Sequence, residues 1–249
     1  MRPAPATRTS IDVALSLLEL FSAEKRELGV TDMAGILKKK ASTLHRTIKV
    51  LRNRGYLEQD GHRGKYRLGL KAFELGCVYQ NQSSVMNEAM ERMERLARAT
   101  QETVNLAVLD QGMKEIAYIA KIESPHVLKT DIQTGTKLLA HCTALGKVLL
   151  ASLEPDRLKS LFPARGRLPT YTAKSIASAE QLSRRLAEVR RDGFSTDDEE
   201  FRTGVVCVAM PYRDVNGRVV AAISVTGPAI RMTPARISEV KKIMFDTLA

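Results

Sequence analysis

The chain has 249 residues, 44% hydrophobic and 27% charged, with 15 Gly, 9 Pro, 3 Cys and a formal net charge of +11. Those proportions exclude a collagen-like chain, global disorder and a disulfide scaffold, and they allow one large domain or two smaller ones. The longest apolar stretches, such as Val219 to Val225, stop at one strand's length, short of the roughly 18 residues of a membrane span. The first ten residues carry Pro3 and Pro5 and no charged-then-apolar leader, so the cytoplasm is the expected compartment and no membrane partner is expected. Cys77, Cys142 and Cys207 are widely spaced with no CxxC pair, which reads as three reduced thiols, with no structural metal and no cofactor.

The positive charge is unevenly placed. Residues 1–82 hold 15 Lys or Arg against 8 Asp or Glu, and residues 38–71 alone hold 11 against 2, a local net of +9. Such a concentration suits a polyanion.

In chain order, Thr9 or Ser10 is placed to cap a first helix with apolar positions Ile11, Ala14, Leu15, Leu18 and Phe21. Thr31 and the acidic Asp32 open a short second helix through Leu37, ended by the turn Lys38-Lys39-Lys40. Ser42 opens a third, with Leu44, Ile48 and Leu51 inward, Thr43, His45, Arg46, Lys49 and Arg52 outward, and Gly55 as its stop. Two short helices around a tight turn, the second basic outside, describe a helix-turn-helix. Tyr56 to Asp60 and Lys65 to Leu68 read as a hairpin around Gly61 to Gly64, a basic-tipped wing. The third helix fits the major groove of double-stranded DNA. Ser42, Thr43, His45 and Arg46 at its start are the candidate base readers; Lys38, Lys39, Lys40, Lys49, Arg52 and Arg63 are the candidate phosphate contacts. Arg52 or Arg54 is also placed to pair with Glu58.

Leu70 to Gln82 reads as a linker helix before a polar boundary at Ser83-Ser84. The expected organisation is therefore a DNA-binding domain over 1–69, a linker over 70–83 and a second domain over 84–249. In that second domain a Met-rich helix from Met86 precedes strands at Thr103 to Leu109 and Glu115 to Ile122. The small-residue run Leu139 to Lys147 leads into an apolar helix whose first amides form an anion site. A charged helix over Leu182 to Arg191, the acidic run Asp197 to Glu200, and strands Val205 to Tyr212 and Val219 to Val225 follow. Helices and antiparallel strands in this order make an α+β sensor domain. His141, Cys142, Cys207 and Asp197 are also the ingredients of a thiol hydrolase, and His141, Cys142 and Cys207 those of a metal sensor. Cys207 sits mid-strand among valines, the setting of an inert thiol, and the spacing is diagnostic of neither alternative.

Four stretches resemble the IclR family of bacterial transcriptional regulators. They are Ser42 to Arg46 with Arg54 to Leu57 and Tyr66 to Gly69; His141 to Lys147; Asp197 to Glu200; and Gly204 to Pro228. The resemblance implies a winged helix-turn-helix, a linker helix and a GAF-like C-terminal α/β effector-binding domain with an antiparallel sheet. It also implies a non-enzymatic regulator, more commonly a repressor of a catabolic operon than an activator. Its expected partners are a pseudo-palindromic operator, a small organic-acid effector and further copies of the chain as a dimer or dimer of dimers. Carried over by position, the effector contacts are the backbone amides of Ala144 and Leu145, then Asp197, Cys207, Ser224 and Thr226, with Leu138 and Val205 as apolar walls.

Overall fold

The computed structural model describes residues 9–22, 25–61, 64–164 and 166–248. The chain divides into two compact units, residues 1–82 and 83–249.

In the first unit Thr9 caps α1 (Ser10–Leu18) reciprocally: its hydroxyl accepts the Asp12 amide at 3.2 Å, and the Asp12 carboxylate accepts the Thr9 amide at 2.7 Å. The inward face is Val13 and Leu17, whereas Ile11 and Leu15 of the expected stripe are 69% and 53% exposed. The segment is apolar on nearly every side, so its period alone left the rotation open. α2 (Val30–Leu37) begins ahead of Thr31, because the Asp32 carboxylate takes the Gly29 amide at 3.0 Å and makes Gly29 the cap. α3 (Ala41–Asn53) likewise starts one residue before Ser42, after Lys40, whose side chain accepts no hydrogen bond. Leu17, Met33, Leu44, Ile48 and Leu57 form the centre of this core. Gly55, at φ +76°, turns the chain out of α3, a backbone region that costs glycine little. It leads into the short hairpin β1 (Leu57–Gln59) and β2 (Tyr66–Leu68). α4 (Leu70–Gln82) follows and buries no side chain.

The second unit is a six-stranded antiparallel sheet in the order β5-β4-β3-β8-β7-β6. Its strands are β3 (Thr103–Leu109), β4 (Glu115–Ile122), β5 (Lys137–Leu139), β6 (Ser195–Asp198), β7 (Val205–Arg213) and β8 (Val219–Pro228). The two faces differ because strand side chains alternate. Val104, Leu106, Val206, Val208, Ile223 and Val225 point to one side, where Ala89, Met93 and Leu96 of α5 (Ser84–Thr100) and Val240 and Met244 of α9 (Pro234–Leu248) cover them. The Met stripe of α5 is thus core. Thr103, Asn105, Ala107, Cys207, Ala209, Ala222, Ser224 and Thr226 alternate with these and face the other side, where small side chains let a helix approach closely. That helix is α6 (Ala144–Ala151), backed by α8 (Ala179–Asp192). β5, β6, α7 (Pro155–Leu161) and α9 are elements that the sequence reading did not assign.

Among the described residues no helix is long and apolar enough to cross a membrane. At the join of α5 and β3, buried Glu102 receives both Nε and Nη2 of Arg231, at 2.6 and 2.8 Å, which pins the β8–α9 connection.

Gly146 in α6 lies so close to the preceding turn that a Cβ there would stand 2.2 Å from the Ala140 carbonyl oxygen. Gly146→Ala therefore forces backbone apart, and we expect a loss of about 2 kcal/mol or more, read as a fall of several degrees in thermal midpoint. An unchanged midpoint would show that the turn yields freely.

Candidate functional sites

The reading head is built on α3. Burial of Leu44, Ile48 and Leu51 turns Ser42, Thr43, His45, Arg46, Lys49 and Arg52 outward, all of them exposed. The turn before it is held by Lys38 in the left-handed region at φ 52°, its amide and that of Lys39 returning to Gly35 and Ala34. Lys38 and Lys40 are exposed and Lys39 is half-buried. Among the described residues none of Lys38, Lys39, Lys40, Arg46 and Lys49 pairs with a carboxylate, so their charge is available to a polyanion. α3 carries no acidic residue in its first turn, which keeps its positive end unneutralised.

The wing departs from expectation in its ion pair. Glu58 pairs across the hairpin with Arg67, at 3.1 Å, because the β1–β2 register sets those two residues opposite each other. Arg52 instead donates to Gln59 Oε1 at 3.0 Å, so this candidate phosphate contact also ties α3 to the wing. Tyr66 exchanges backbone hydrogen bonds with Leu28 at 2.9 and 3.0 Å, adding a third short strand edge. Arg63, the candidate contact at the wing tip, lies outside the described residues.

The second site lies between α6 and the sheet. Thr143 caps α6 by accepting the Gly146 amide on its hydroxyl at 3.1 Å, and its carbonyl takes the Lys147 amide at 3.0 Å. The amides of Ala144 and Leu145 come before these bonds, on residues 1% and 2% exposed. Register brings the other positions into one row: Asp197 on β6 opposes Cys207 on β7, which opposes Thr226 on β8. Thr226 donates to Cys207 Sγ at 3.3 Å and lies 3.4 Å from the Ser224 hydroxyl. Leu138, on β5, packs into the core on the α6 side, and half-buried Val205 shares the alternation of Cys207.

Sequence reasoning missed the charges that hold this site. Lys147 in the first turns of α6 is fully buried and forms an ion pair with Glu200, and the Glu200 amide donates to Asp197 at 2.7 Å. Both residues stood in the quoted motifs, but a lysine in an apolar helix gives no sign of its partner 53 positions away. Asn105 on β3 also joins the row, donating to Thr226 at 3.3 Å. Burial raises the Asp197 carboxyl to about 7, with Lys147 pulling it down. Burial likewise lifts the Cys142 thiol to about 12, and the Cys207 thiol well above the ordinary range. Neither sulfur is a thiolate at neutral pH, so the thiol-hydrolase alternative loses its nucleophile. Among the described residues no cluster of His, Cys, Asp and Glu is arranged to hold a metal.

The site is closed over. Thr172 and Ser175 donate to the Glu200 carbonyl at 3.2 and 2.6 Å, and Lys174 pairs with Asp198 and Glu199, lacing the 172–175 loop to the end of β6. Open clefts lie elsewhere, one of about 260 Å³ beside His141 and Arg167 and one of about 530 Å³ beside Lys174 and Arg184.

A winged reading head and a second unit built on an antiparallel sheet are the parts of a DNA-binding regulator, and comparison with known proteins agrees. Residues 10–61 match the IclR helix-turn-helix domain and residues 77–248 the bacterial transcriptional regulator IclR C-terminal domain. The HTH-type transcriptional regulator XynR of Escherichia coli is 35% identical, covering 94% of this chain and 91% of its own. The transcriptional repressor IclR of the same organism is 31% identical, covering 95% and 86%. An IclR homologue from Microbacterium hydrocarbonoxydans, crystallised with 4-hydroxybenzoate, shares the fold at a TM-score of 0.80 and 22% identity, covering 96% and 98%.

The chain belongs to the IclR family of bacterial transcriptional regulators: it is a DNA-binding regulator, not an enzyme.

The raised Asp197 carboxyl has a signed consequence. Its folded value of about 7 exceeds the unfolded 3.8, so the stability it contributes is full below pH 4 and is lost as pH rises through 7. Asp197→Asn, which mimics the protonated acid, should gain on wild type by roughly 2–3 kcal/mol between pH 5 and pH 8. Denaturant titrations that run parallel at both pH values would remove Asp197 as a buried titrating group.

Proposed function

We propose that this regulator is a repressor of a catabolic operon whose operator affinity is altered by a small organic acid bound between α6 and the sheet. The observation that carries the effector half is the pair of buried amides at Ala144 and Leu145, placed ahead of the first hydrogen bonds of α6 and beside Asp197, Cys207, Ser224 and Thr226. A helix start with free amides favours a carboxylate. Repression is favoured by the name of the E. coli repressor relative, and effector binding by the bound acid of the Microbacterium homologue.

For the DNA half, Ser42, Thr43, His45 and Arg46 read bases, while Lys38, Lys39, Lys40, Lys49, Arg52 and Arg63 hold phosphates. A dimer or dimer of dimers sets its recognition helices on a pseudo-palindromic operator in the cytoplasm, since symmetry in the protein asks for symmetry in the site. The apolar side chains Leu70, Phe73, Leu75 and Val78, all exposed on α4, are suited to pairing between copies. Residues 1–69 then serve as reading head, 70–83 as linker and 84–249 as sensor. Coupling of about 1–3 kcal/mol between the sites changes operator affinity roughly 5- to 150-fold.

The test is fluorescence anisotropy against the chain's own upstream DNA and a scrambled duplex, at fixed salt, with and without carboxylic acids. Preferential upstream binding shifted by an acid is expected; equal, acid-insensitive affinity for both duplexes refutes the proposal. Lys49→Ala should weaken both duplexes alike, whereas Arg46→Ala should cost about 1–3 kcal/mol on the operator and relax its preference at particular bases. Equal losses on both duplexes for Arg46→Ala would remove it as a reader. Ser224→Ala and Asp197→Ala should diminish the acid's shift of operator affinity, and a full shift in both would place the acid elsewhere.

A further inference from the structure

The face between α6 and the sheet has more hydrogen-bonding capacity than the protein uses. Asn105 is 1% exposed; its Nδ2 donates to Thr226 Oγ1, and its Oδ1 has no partner. Glu200, 5% exposed, spends Oε1 on Lys147, and its Oε2 has no partner. Native interiors rarely leave buried acceptors unpaired without a use for them. The same face presents the Ala144 and Leu145 amides, which are donors outside the hydrogen bonds of α6.

The occupant follows from that inventory. It must accept at one end and donate in two places. A carboxylate accepts and cannot donate, and an ammonium group would stand beside the buried Lys147. A hydroxyl donates to a carbonyl or carboxylate oxygen and still accepts from a neighbour such as Ser224, which stands opposite Asn105 in the β3–β8 register.

Resting on the effector reading above, we infer that the effector is a polyhydroxylated aliphatic carboxylic acid, its carboxylate on the Ala144 and Leu145 amides and its hydroxyls donating to Asn105 Oδ1 and Glu200 Oε2. Asn105 is then a specificity-determining residue. A plain aliphatic or aromatic acid brings no donor, so it would seal both acceptors unpaired. Rejection on that ground is far stronger than rejection by a missing methylene.

The experiment is isothermal titration of the full chain with acids matched in carbon number: gluconate against hexanoate, and glycerate against propionate, with benzoate as an aromatic arm. The hydroxylated member of at least one pair should bind tenfold or more tighter than its bare counterpart. Asn105→Ala, and the β-branched Asn105→Thr that suits a strand, should cut that ratio at least fivefold, with folding checked by circular dichroism and thermal midpoint. If a bare acid or benzoate binds as well or better, and Ser224→Ala abolishes that binding, the effector site stands and the hydroxyl requirement falls. Absence of binding by every acid removes both. An unchanged ratio in a folded Asn105 variant removes Asn105 as the selector. Should neither variant fold, the wild-type ratio alone decides the ligand class.

Discussion

A fully buried lysine constrains the second unit more than any other group. Lys147 lies in the first turns of α6 with no solvent exposure, where an unpaired ammonium would be prohibitive, so Glu200 must sit against it. That ion pair ties the start of α6 to the β6–β7 connection, and the Glu200 amide in turn fixes the Asp197 carboxylate. Two segments 53 positions apart in sequence meet at one charge pair. The Lys147 charge and the Glu200 amide partly offset the burial that pushes the Asp197 carboxyl up to about 7, while the Glu200 charge adds to that push. The pair is poor evidence for stability in itself, because desolvation offsets much of the attraction. It does set a polar interior into which α6 presents its amino end.

The sheet provides the complementary constraint. Strand alternation gives one face valine, leucine and isoleucine for α5 and α9, and the other alanine, serine, threonine and asparagine for α6. Close approach of α6 depends on those small side chains and on Gly146, and the same small side chains carry the hydroxyls and amide of the buried polar row. Packing and buried polarity thus draw on one set of residues. In the reading head the two sets are separate: Leu44, Ile48 and Leu51 hold α3, while the cations around them stay exposed.

The helix-turn-helix was legible because a basic turn and Gly55 end its two helices, and three- and four-residue spacing settled which side of α3 is buried. The same method failed on α1, where Ile11, Val13, Leu15 and Leu17 offer more than one apolar stripe. It placed the α2 and α3 starts late because Asp32 caps backward onto Gly29 and because α3 begins without a side-chain cap. Strands β3, β4, β7 and β8 were readable as apolar runs between turns. β5 is three residues long, and α7 is short and charged, so neither left a strong signal.

The sequence by itself determined the composition class, the basic reading head, the two-unit organisation and the motifs that carry the family, because these depend on residues close together in the chain. Only the tertiary structure decided that Glu58 pairs with Arg67, that Lys147 pairs with Glu200, and that Asn105 holds an unpaired oxygen beside Ser224 and Thr226. Each of those facts depends on strand register or on contact between distant segments. Local periodicity records which face of an element is buried and carries no information about what lies against it.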